Sequence, residues 1–367
     1  MARPKVRDDL ALMEGYHSPQ VSVEVRLNTN EAPEPPPAAF TEALAAAVRQ
    51  VEWHRYPDRS ADALRAQLAQ VEGDAVPGGL AAANVLAANG SNEVLQTVLL
   101  TFGGPGRTAL VAEPTYALHS HIAGLTGTAV ATVDRTDGFE LPLDEFLAAV
   151  ERERPAVTFL CSPNNPTGMV ETRATVEAVL AAVEAVDGLL VVDEAYGQFA
   201  DWSALTLVAD DRNLVVSRTY SKTWSAAALR LGYLVGPTWA VAALEQVVLP
   251  YHLDAMTQAA GLLALDHLDD MRDRVRRLTA ERDRVVAGLD ALGVHQGPSG
   301  ANFVLFRPGA ADAVAGSTVW QGLVDRSVLV RNCASWPRLE GCLRVTVGTP
   351  EENDRFLSAL ADVLAAG

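Results

Sequence analysis

The sequence of 367 residues predicts an α/β fold with a largely parallel sheet, followed by a smaller α+β domain. Three observations support this prediction. Short apolar runs alternate with helical patterns through the middle of the chain, the runs are continuous rather than alternating with polar residues, and the pattern changes after Pro250. Runs that are apolar throughout are typical of strands covered by helices on both faces, and strand–helix alternation is typical of parallel sheets.

The predicted strands lie between residues 85 and 235. They are VLAA (85–88), TALVA (108–112), TAVATV (128–133), AVTFLC (156–161), GLLVV (188–192), NLVVS (213–217) and LGYLV (231–235). Helices are predicted between several of them, at 92–102, 143–153 and 172–186. Because ligands of parallel sheets bind at the carboxyl ends of the strands, residues that directly follow these runs are candidates for a functional site.

The two ends of the chain have different patterns. The first forty residues are rich in proline and predict an extended arm. After Pro250 a long helical stretch covers 255–292, and a last helix starts at Glu351. Between them we predict the strands ANFVLF (301–306), SVLVR (327–331) and CLRVTV (342–347). We expect three regions: 1–45 as an arm and part of the small domain, 46–250 as the large domain, and 251–367 as the small C-terminal domain.

Composition excludes several classes of protein. The chain has 29 Lys+Arg against 46 Asp+Glu, a net charge of −17 at pH 7, which repels nucleic acids. The 3 cysteines form no disulfide framework, as is typical of a reducing compartment. His119 and His121 lie two residues apart without a third ligand, so we expect no metal site. Because neither a signal peptide nor a membrane span is visible, we expect a soluble, cytoplasmic protein.

Lysine is rare in this chain. Of the 29 basic residues only Lys5 and Lys222 are lysines. Lys222 follows a predicted strand and has hydroxyl, tryptophan and alanine neighbours, which would remove water from its amine and lower its pKa. Arginine cannot replace a nucleophilic amine, because its guanidinium stays protonated. The retained lysine therefore indicates amine chemistry, although a lysine considered alone is more often a surface residue.

Asp193 ends the apolar run in LLVVDEAY (189–196). A carboxylate at the mouth of a buried strand needs a partner. An apolar run followed by Asp-Glu also binds magnesium in ATPases, but those proteins need a G-x-x-x-x-G-K loop, and neither lysine follows a glycine. Two interpretations stay open: a helix cap, or an acid that keeps a pyridine nitrogen protonated, with Tyr196 on the same side.

Three more motifs follow predicted strands. CSPNNPTG (161–168) is a stiff turn that offers the amides of Asn164 and Asn165. NGSNE (89–93) begins a helix, whose free N–H groups favour a phosphate, although the same residues also form an ordinary helix cap. EPTY (113–116) presents an aromatic ring. An amine, an acid, amide donors, an anion site and an aromatic ring together are what pyridoxal 5′-phosphate (PLP) requires.

With these motifs the sequence resembles the fold-type I PLP-dependent aminotransferases and, within them, the histidinol-phosphate aminotransferase family. The resemblance covers nearly the whole chain, because further motifs of that family occur in order. They are GYHSPQ (15–20), RLNTNEAP (26–33), HRYPD (54–58), SRTYSK (217–222), LRLGY (229–233), LPYHL (249–253), ANFVLF (301–306) and VLVRN with GCLRVTVGTPEEN (328–353).

The resemblance implies a fold and a catalytic set. The fold is a three-layer sandwich with a mainly parallel seven-stranded sheet, plus a small α+β domain built from both chain ends. Lys222 would bond to PLP and act as the general base, and Asp193 would pair with the pyridine nitrogen. Asn165 and Tyr196 would bind the 3′ oxygen of PLP, and Tyr116 would stack on its ring.

The other implied roles concern anions. Six residues would hold the PLP phosphate, the last of them from the partner subunit of a homodimer: Ser91, Asn92, Thr219, Ser221, Arg230 and Tyr56. Arg344 would bind the carboxylate of glutamate and Arg331 the distal anion of the substrate. Tyr16 and Asn30 would close over the substrate.

The implied reaction transfers the amino group of histidinol phosphate to 2-oxoglutarate, a step of histidine biosynthesis. An aromatic amino-acid aminotransferase and a threonine-phosphate decarboxylase are alternatives on the same scaffold. A PLP-binding regulator without turnover is a third class, which the acidic charge disfavours. Three departures from the family pattern concern substrate choice: Ala32 removes a polar side chain near the entrance, and Trp224 and Ala228 would narrow the space near the ring.

Overall fold

The computed structural model describes residues 3–8, 10, 21–294, 297–309 and 311–366. The strands are β1 (Val25–Leu27), β2 (Val85–Ala88), β3 (Thr108–Glu113), β4 (Ala129–Asp134), β5 (Val157–Cys161), β6 (Leu189–Asp193), β7 (Leu214–Thr219), β8 (Gly232–Val235), β9 (Phe303–Phe306), β10 (Val328–Asn332) and β11 (Leu343–Thr346). The α-helices are α1 (Ala38–Arg49), α2 (Asp62–Gly73), α3 (Ser91–Phe102), α4 (Leu118–Leu125), α5 (Leu143–Glu153), α6 (Arg173–Glu184), α7 (Thr238–Glu245), α8 (Ala255–Leu265), α9 (Leu268–Ala291), α10 (Ala313–Val324) and α11 (Pro350–Ala366).

The larger sheet contains seven strands in the order β2-β8-β7-β6-β5-β3-β4. Its neighbouring strands are parallel except where β8 pairs with β2 and β7. All seven apolar runs form these strands, with limits within two residues of the prediction. The prediction of an α/β fold with a mainly parallel sheet is therefore confirmed.

Helices cover both faces of this sheet and produce three layers. Leu190 and Val192 of β6 join the core formed with α2, α5, α6 and α8. Leu189 and Val191 of the same strand join the opposite core, with α3, α4 and α7. Successive side chains of a strand point to opposite faces, so a strand covered on both faces reads as a nearly continuous apolar run.

The smaller sheet brings the two ends of the chain together. Its order is β1-β10-β11-β9, and β1 from the N-terminal segment runs parallel to β10. Apolar residues of α9, α10 and α11 pack with this sheet into a separate core. The region limits at 45/46 and 250/251 stay predictions, and α1 runs across the first of them.

The stretch 255–292 is not one helix, as predicted, but two. It divides at 266–267 between α8 and α9, where the sequence has neither glycine nor proline to indicate a break. The packing explains the division. Helix α8 lies against the large-sheet core, whereas α9 extends from Met271 in that core to Val285 in the core of the small sheet. Within the described ranges, no helix combines the length and apolarity needed to cross a membrane.

Candidate active site

A cavity of about 420 Å³ lies between the carboxyl end of the large sheet, the N-terminal segment 28–31 and the strands β10 and β11. Its volume is in the range of small-molecule sites. Thirteen of the fifteen predicted site residues line it: Asn30, Ser91, Asn92, Tyr116, Asn165, Asp193, Tyr196, Thr219, Ser221, Lys222, Arg230, Arg331 and Arg344. The fold therefore brings together residues that are up to 314 positions apart (344 − 30) in the chain.

The other two predicted residues are not in this cavity. Tyr56 is 79% exposed, and its ring stacks on Tyr251 at a centroid distance of 4.4 Å. The structure does not bring Tyr56 to the cavity of its own chain. Tyr16 lies outside the described residues.

Lys222 stands just beyond the end of β7, with its amine inside the cavity. The Nζ atom donates a hydrogen bond to the carbonyl oxygen of Thr29 at 3.1 Å. The pKa of this amine is lowered to about 8, mainly by desolvation and further by the positive charges of Arg344 and Arg230, while Glu31 opposes the shift. The neutral, nucleophilic amine is therefore much more available near neutral pH than that of an exposed lysine.

Asp193 is the last residue of β6, and its buried carboxylate is fully engaged by the protein. One oxygen accepts hydrogen bonds from the Ser217 hydroxyl at 3.0 Å and the Ala195 N–H at 3.1 Å. The other lies 3.0 Å from Nε2 of His119. Since a carboxylate only accepts hydrogen bonds, the imidazole proton belongs on Nε2. These three contacts fix the orientation of the carboxylate.

His119 is a site residue that the sequence analysis missed, because it was weighed only as a metal ligand. Its ring is fully buried in α4 and stacks on Phe159 at 4.7 Å. Tyr116 packs edge-on against it at 5.5 Å. Its position in EPTYALH (113–119) could have indicated this contact, because His119 lies one helical turn after Tyr116, whose ring was predicted to stack on PLP. Among the residues described by the structure, no group of three His, Cys, Asp or Glu side chains is arranged to hold a metal ion.

The start of α3 forms one wall of the cavity. Ser91 and Asn92 are its first two residues, so their N–H groups have no carbonyl partner within the helix. This helix end lies very close to β8. A Cβ atom added at Gly232 would lie 2.3 Å from the Ser91 nitrogen, and one added at Gly90 would lie 2.7 Å from the Arg230 guanidinium. The two glycines therefore let strand, helix and arginine converge.

Hydroxyl groups from the end of β7 line the same cavity as the start of α3 and Arg230. We call these five residues the anion-binding region: Ser91, Asn92, Thr219, Ser221 and Arg230. The Thr219 hydroxyl donates a hydrogen bond to the Ser221 hydroxyl at 3.0 Å, and both residues line the cavity. Arg230 adds a positive charge next to the start of α3. Helix N–H groups, hydroxyls and a guanidinium are suited to a phosphate.

The two adjacent asparagines of CSPNNPTG have different functions. The Asn164 side chain is fully buried and holds the loop together, donating to the Pro114 carbonyl and accepting from the Thr115 hydroxyl. It is therefore not offered to a ligand, as the sequence suggested. Asn165 lines the cavity and accepts a hydrogen bond from Arg344.

Asn30 of the N-terminal segment forms part of the cavity wall and links Tyr196 to β11. Its side-chain amide donates to the Tyr196 hydroxyl at 2.9 Å, while its oxygen accepts from Thr346 of β11. Its φ of 57° is left-handed, a conformation that asparagine tolerates better than most residues. Burial raises the pKa of Tyr196 to about 12, so its hydroxyl stays protonated.

Arg331 and Arg344 face the cavity from adjacent strands. They are directly paired across β10 and β11 and are only 8% and 6% exposed. Arg344 donates a hydrogen bond to the Asn28 carbonyl at 3.1 Å. Like charges directly opposite each other destabilise a sheet, and a bound anion removes this cost. The pair is therefore suited to anionic substrates, with either one or two anionic groups.

The three departures from the family pattern differ in position. Ala228 lines the cavity, as expected. Trp224 does not, because its ring stacks on Tyr220 at 5.2 Å within the core below the large sheet. Ala32 also lies outside the cavity wall, which the N-terminal segment forms with residues 28–31. The expectation that Trp224 narrows the cavity is therefore wrong.

Comparison with known proteins agrees with this geometry. Residues 22–360 match the family Aminotransferase class I and II. The histidinol-phosphate aminotransferase of Frankia casuarinae is 46% identical over 365 residues, covering 98% of this chain and 90% of that protein. The enzyme of the same name from Thermobifida fusca is 47% identical over 362 residues, covering 97% and 94%.

A solved structure shares the fold. Histidinol-phosphate aminotransferase from Sinorhizobium meliloti, in complex with pyridoxal-5′-phosphate, superposes with a TM-score of 0.83 at 24% identity, over 94% of this chain and 92% of that chain. The chain therefore belongs to the aminotransferase class I and II family, the PLP-dependent family that its motifs predicted.

Proposed function

We propose that this chain transfers the amino group of histidinol phosphate to 2-oxoglutarate, with PLP as cofactor, as a step of histidine biosynthesis in the cytoplasm. The observation that carries this proposal is the pair Arg331 and Arg344. It faces the same cavity as Lys222 and Asp193. The activity named for the relatives at 46% and 47% identity supports it.

The residues present in the cavity fit PLP. The fixed carboxylate of Asp193 would hold the pyridine nitrogen in its protonated form, and Lys222 would bond to the aldehyde. Tyr116 would stack on the ring, while the Tyr196 hydroxyl and the Asn165 amide would bind its 3′ oxygen. Five residues of the anion-binding region would hold the phosphate: Ser91, Asn92, Thr219, Ser221 and Arg230. When bound, PLP supplies an electron sink that acidifies the Cα–H bond of the substrate.

Lys222 has the properties of the general base. With PLP bound, its Nζ would be placed to take the proton from Cα of the substrate. A pKa near 8 suits this role, because a base works best when its pKa lies near the working pH. Asp193 keeps its charge in place through the Ser217, Ala195 and His119 contacts.

The arginine pair would accept both substrates in turn. Arg344 would bind the α-carboxylate of glutamate or 2-oxoglutarate, and Arg331 would bind either a phosphate ester or the distal carboxylate. Asn30 would close over the bound molecule. The net charge of −17 repels anions over long distances, so attraction must come from these two buried guanidinium groups.

A homodimer would complete the site. Tyr56 and its stacking partner Tyr251 lie on the surface beside Trp53 and Leu249, which are 66% and 76% exposed. Exposed apolar side chains concentrated in one region are typical of interaction surfaces. In a dimer formed through this surface, Tyr56 of the partner subunit would reach the phosphate of PLP.

Steady-state kinetics of the PLP-loaded enzyme test the substrate. We expect kcat/KM for histidinol phosphate to exceed that for phenylalanine at least tenfold. Arg331→Gln should lower the value for histidinol phosphate by about tenfold or more, because a charge-assisted hydrogen bond is lost. The surface variant Arg355→Gln is the control, since Arg355 lies on α11 outside the cavity, where it pairs with Glu24.

The alternatives predict different results. An aromatic aminotransferase would use phenylalanine as well as it uses histidinol phosphate. A threonine-phosphate decarboxylase would release CO₂ from threonine phosphate without forming a keto product. Either result contradicts the proposal.

A further inference from the structure

The loop between β10 and β11, residues 333–342, separates the two arginines of the cavity in the sequence. We call it the β10–β11 loop. All ten residues of this loop are among those that the structure describes, and Trp336 is the one of them that lines the cavity. The arginine pair would bind the anionic groups of the substrate. It does not explain why the indole ring of Trp336 lines the cavity beside it.

The β10–β11 loop is held in one conformation by its own backbone. The Cys333 and Gly341 N–H groups donate across the loop to the carbonyl oxygens of Cys342 and Ala334, at 3.1 and 3.2 Å. The Trp336 N–H donates to the Cys333 carbonyl at 2.9 Å. The side chains of Cys333, Leu339 and Cys342 are buried below it with Phe139 and Leu305. Trp336 is therefore presented by a preformed support.

Arg338 attaches the same loop to the large sheet. Its guanidinium donates to the Arg135 carbonyl at 2.7 Å and lies 3.2 Å from the Asp134 carboxylate at the end of β4. A second carboxylate, Asp137, lies 3.6 Å away. The loop thus extends from the small sheet to the large one, with Trp336 between its two attachments.

Trp336 contacts Arg331 directly. The Cζ atom of Arg331 lies 5.1 Å from the centre of the indole ring, within the range of a cation–π interaction. Such a contact orients a guanidinium without neutralising its charge. Arg331 and Trp336 therefore form one surface with a charged edge and an apolar face.

We infer that Trp336 is a specificity-determining residue that selects substrates with a distal anion. It holds the Arg331 guanidinium toward the cavity and forms the wall against which the part of the substrate next to that anion packs. The inference rests on the proposed aminotransferase function, but it does not depend on histidinol phosphate being the amino donor.

Three small ligands test this inference: glutarate and 2-oxoglutarate carry a distal carboxylate, and pyruvate does not. Glutarate, a non-reacting dicarboxylate, is titrated into the PLP-loaded enzyme and followed by the visible absorbance of the cofactor. The amino-loaded enzyme is then mixed with 2-oxoglutarate or pyruvate in single turnovers. Trp336→Ala should weaken glutarate binding and raise the half-saturating concentration of 2-oxoglutarate about fivefold. The maximal rate with 2-oxoglutarate and both parameters for pyruvate should stay within a factor of two.

Two further variants separate specificity from folding. Trp336→Phe keeps an aromatic face and should recover most of the glutarate affinity. Trp239→Ala removes a half-exposed tryptophan that packs on Phe102 away from the cavity, and it should change nothing. An equal loss for 2-oxoglutarate and pyruvate, or no loss for either, would overturn the inference. Failure of the proposed function is a separate result, because wild-type enzyme would then bind glutarate without using histidinol phosphate.

Discussion

The two sides of the cavity differ in the surroundings of their charged side chains. On the large-sheet side, the protein itself supplies hydrogen bonds to both oxygens of Asp193. On the small-sheet side, Arg331 and Arg344 carry like charges at directly opposed positions of neighbouring strands. Both sides are buried to a similar degree, since Asp193 is 1% exposed and the arginines 8% and 6%.

This difference indicates a division of tasks. A charge whose partners are fixed before binding is preorganised and affects the rate of the chemical step. Two opposed like charges carry a cost that a bound anion reduces, so they affect binding. We therefore expect variants on the large-sheet side to change kcat and cofactor properties, and variants on the small-sheet side to change KM.

The largest expected effect follows from Lys222→Ala. Without the amine, the protein has neither the bond to PLP nor the general base, so transamination should fall below detection and the absorbance of the lysine-bound cofactor should disappear. Absorbance spectra and a keto-acid assay measure the two losses together. The matched control is Lys5→Ala, which removes the only other lysine, an 80% exposed residue paired with Asp8. Persistence of both signals in Lys222→Ala would contradict the assignment.

The next effect concerns Asp193, the proposed partner of the pyridine nitrogen, and His119, which contacts it. Asp193→Asn should lower kcat about a hundredfold, because a preorganised charge at the reacting centre is lost. His119→Phe should keep the stacking on Phe159 but remove one hydrogen bond to Asp193, so that kcat falls about tenfold. In both variants KM for 2-oxoglutarate should change little. A rise in KM with unchanged kcat would remove the division between the two sides.

The sequence predicted the large-sheet side well. Its strands are mostly continuous apolar runs because helices cover both faces of the sheet, and turn residues mark their ends, so the limits could be placed within two residues. Parallel strands put their carboxyl ends at one edge, which placed Asp193 and Lys222 together without any knowledge of the pairing order.

Long-range contacts were not predictable from local pattern. His119 contacts Asp193, 74 positions away, through packing between α4 and the sheet. Only the register of β10 and β11 makes Arg331 and Arg344 direct neighbours. Asn164 and Asn165 look equivalent in the sequence, and the fold buries the first while exposing the second to the cavity. The break at 266–267 depends on the two cores that α8 and α9 contact.

The smallest expected effect is an electrostatic one, in which a residue of the small-sheet side changes the pKa of a residue of the large-sheet side. Arg344 lies on the small-sheet side, but its charge lowers the pKa of Lys222 in addition to the effect of burial. In the enzyme freed of PLP, the rate of PLP capture should rise with pH through about 8 and then level off, as the amine loses its proton. Arg344→Gln removes a positive charge that disfavours protonation, so the midpoint should move upward, by up to about one pH unit.

Stopped-flow absorbance across a pH series measures this midpoint, with Arg355→Gln as the charge-matched surface control. An upward shift in Arg344→Gln alone means that the guanidinium proposed to bind the substrate carboxylate also keeps the lysine reactive. Binding of that carboxylate would then screen the charge of Arg344 and raise the basicity of Lys222 at the moment when a base is needed. An unchanged midpoint would mean that desolvation alone sets the pKa, and the two sides would then be electrostatically independent.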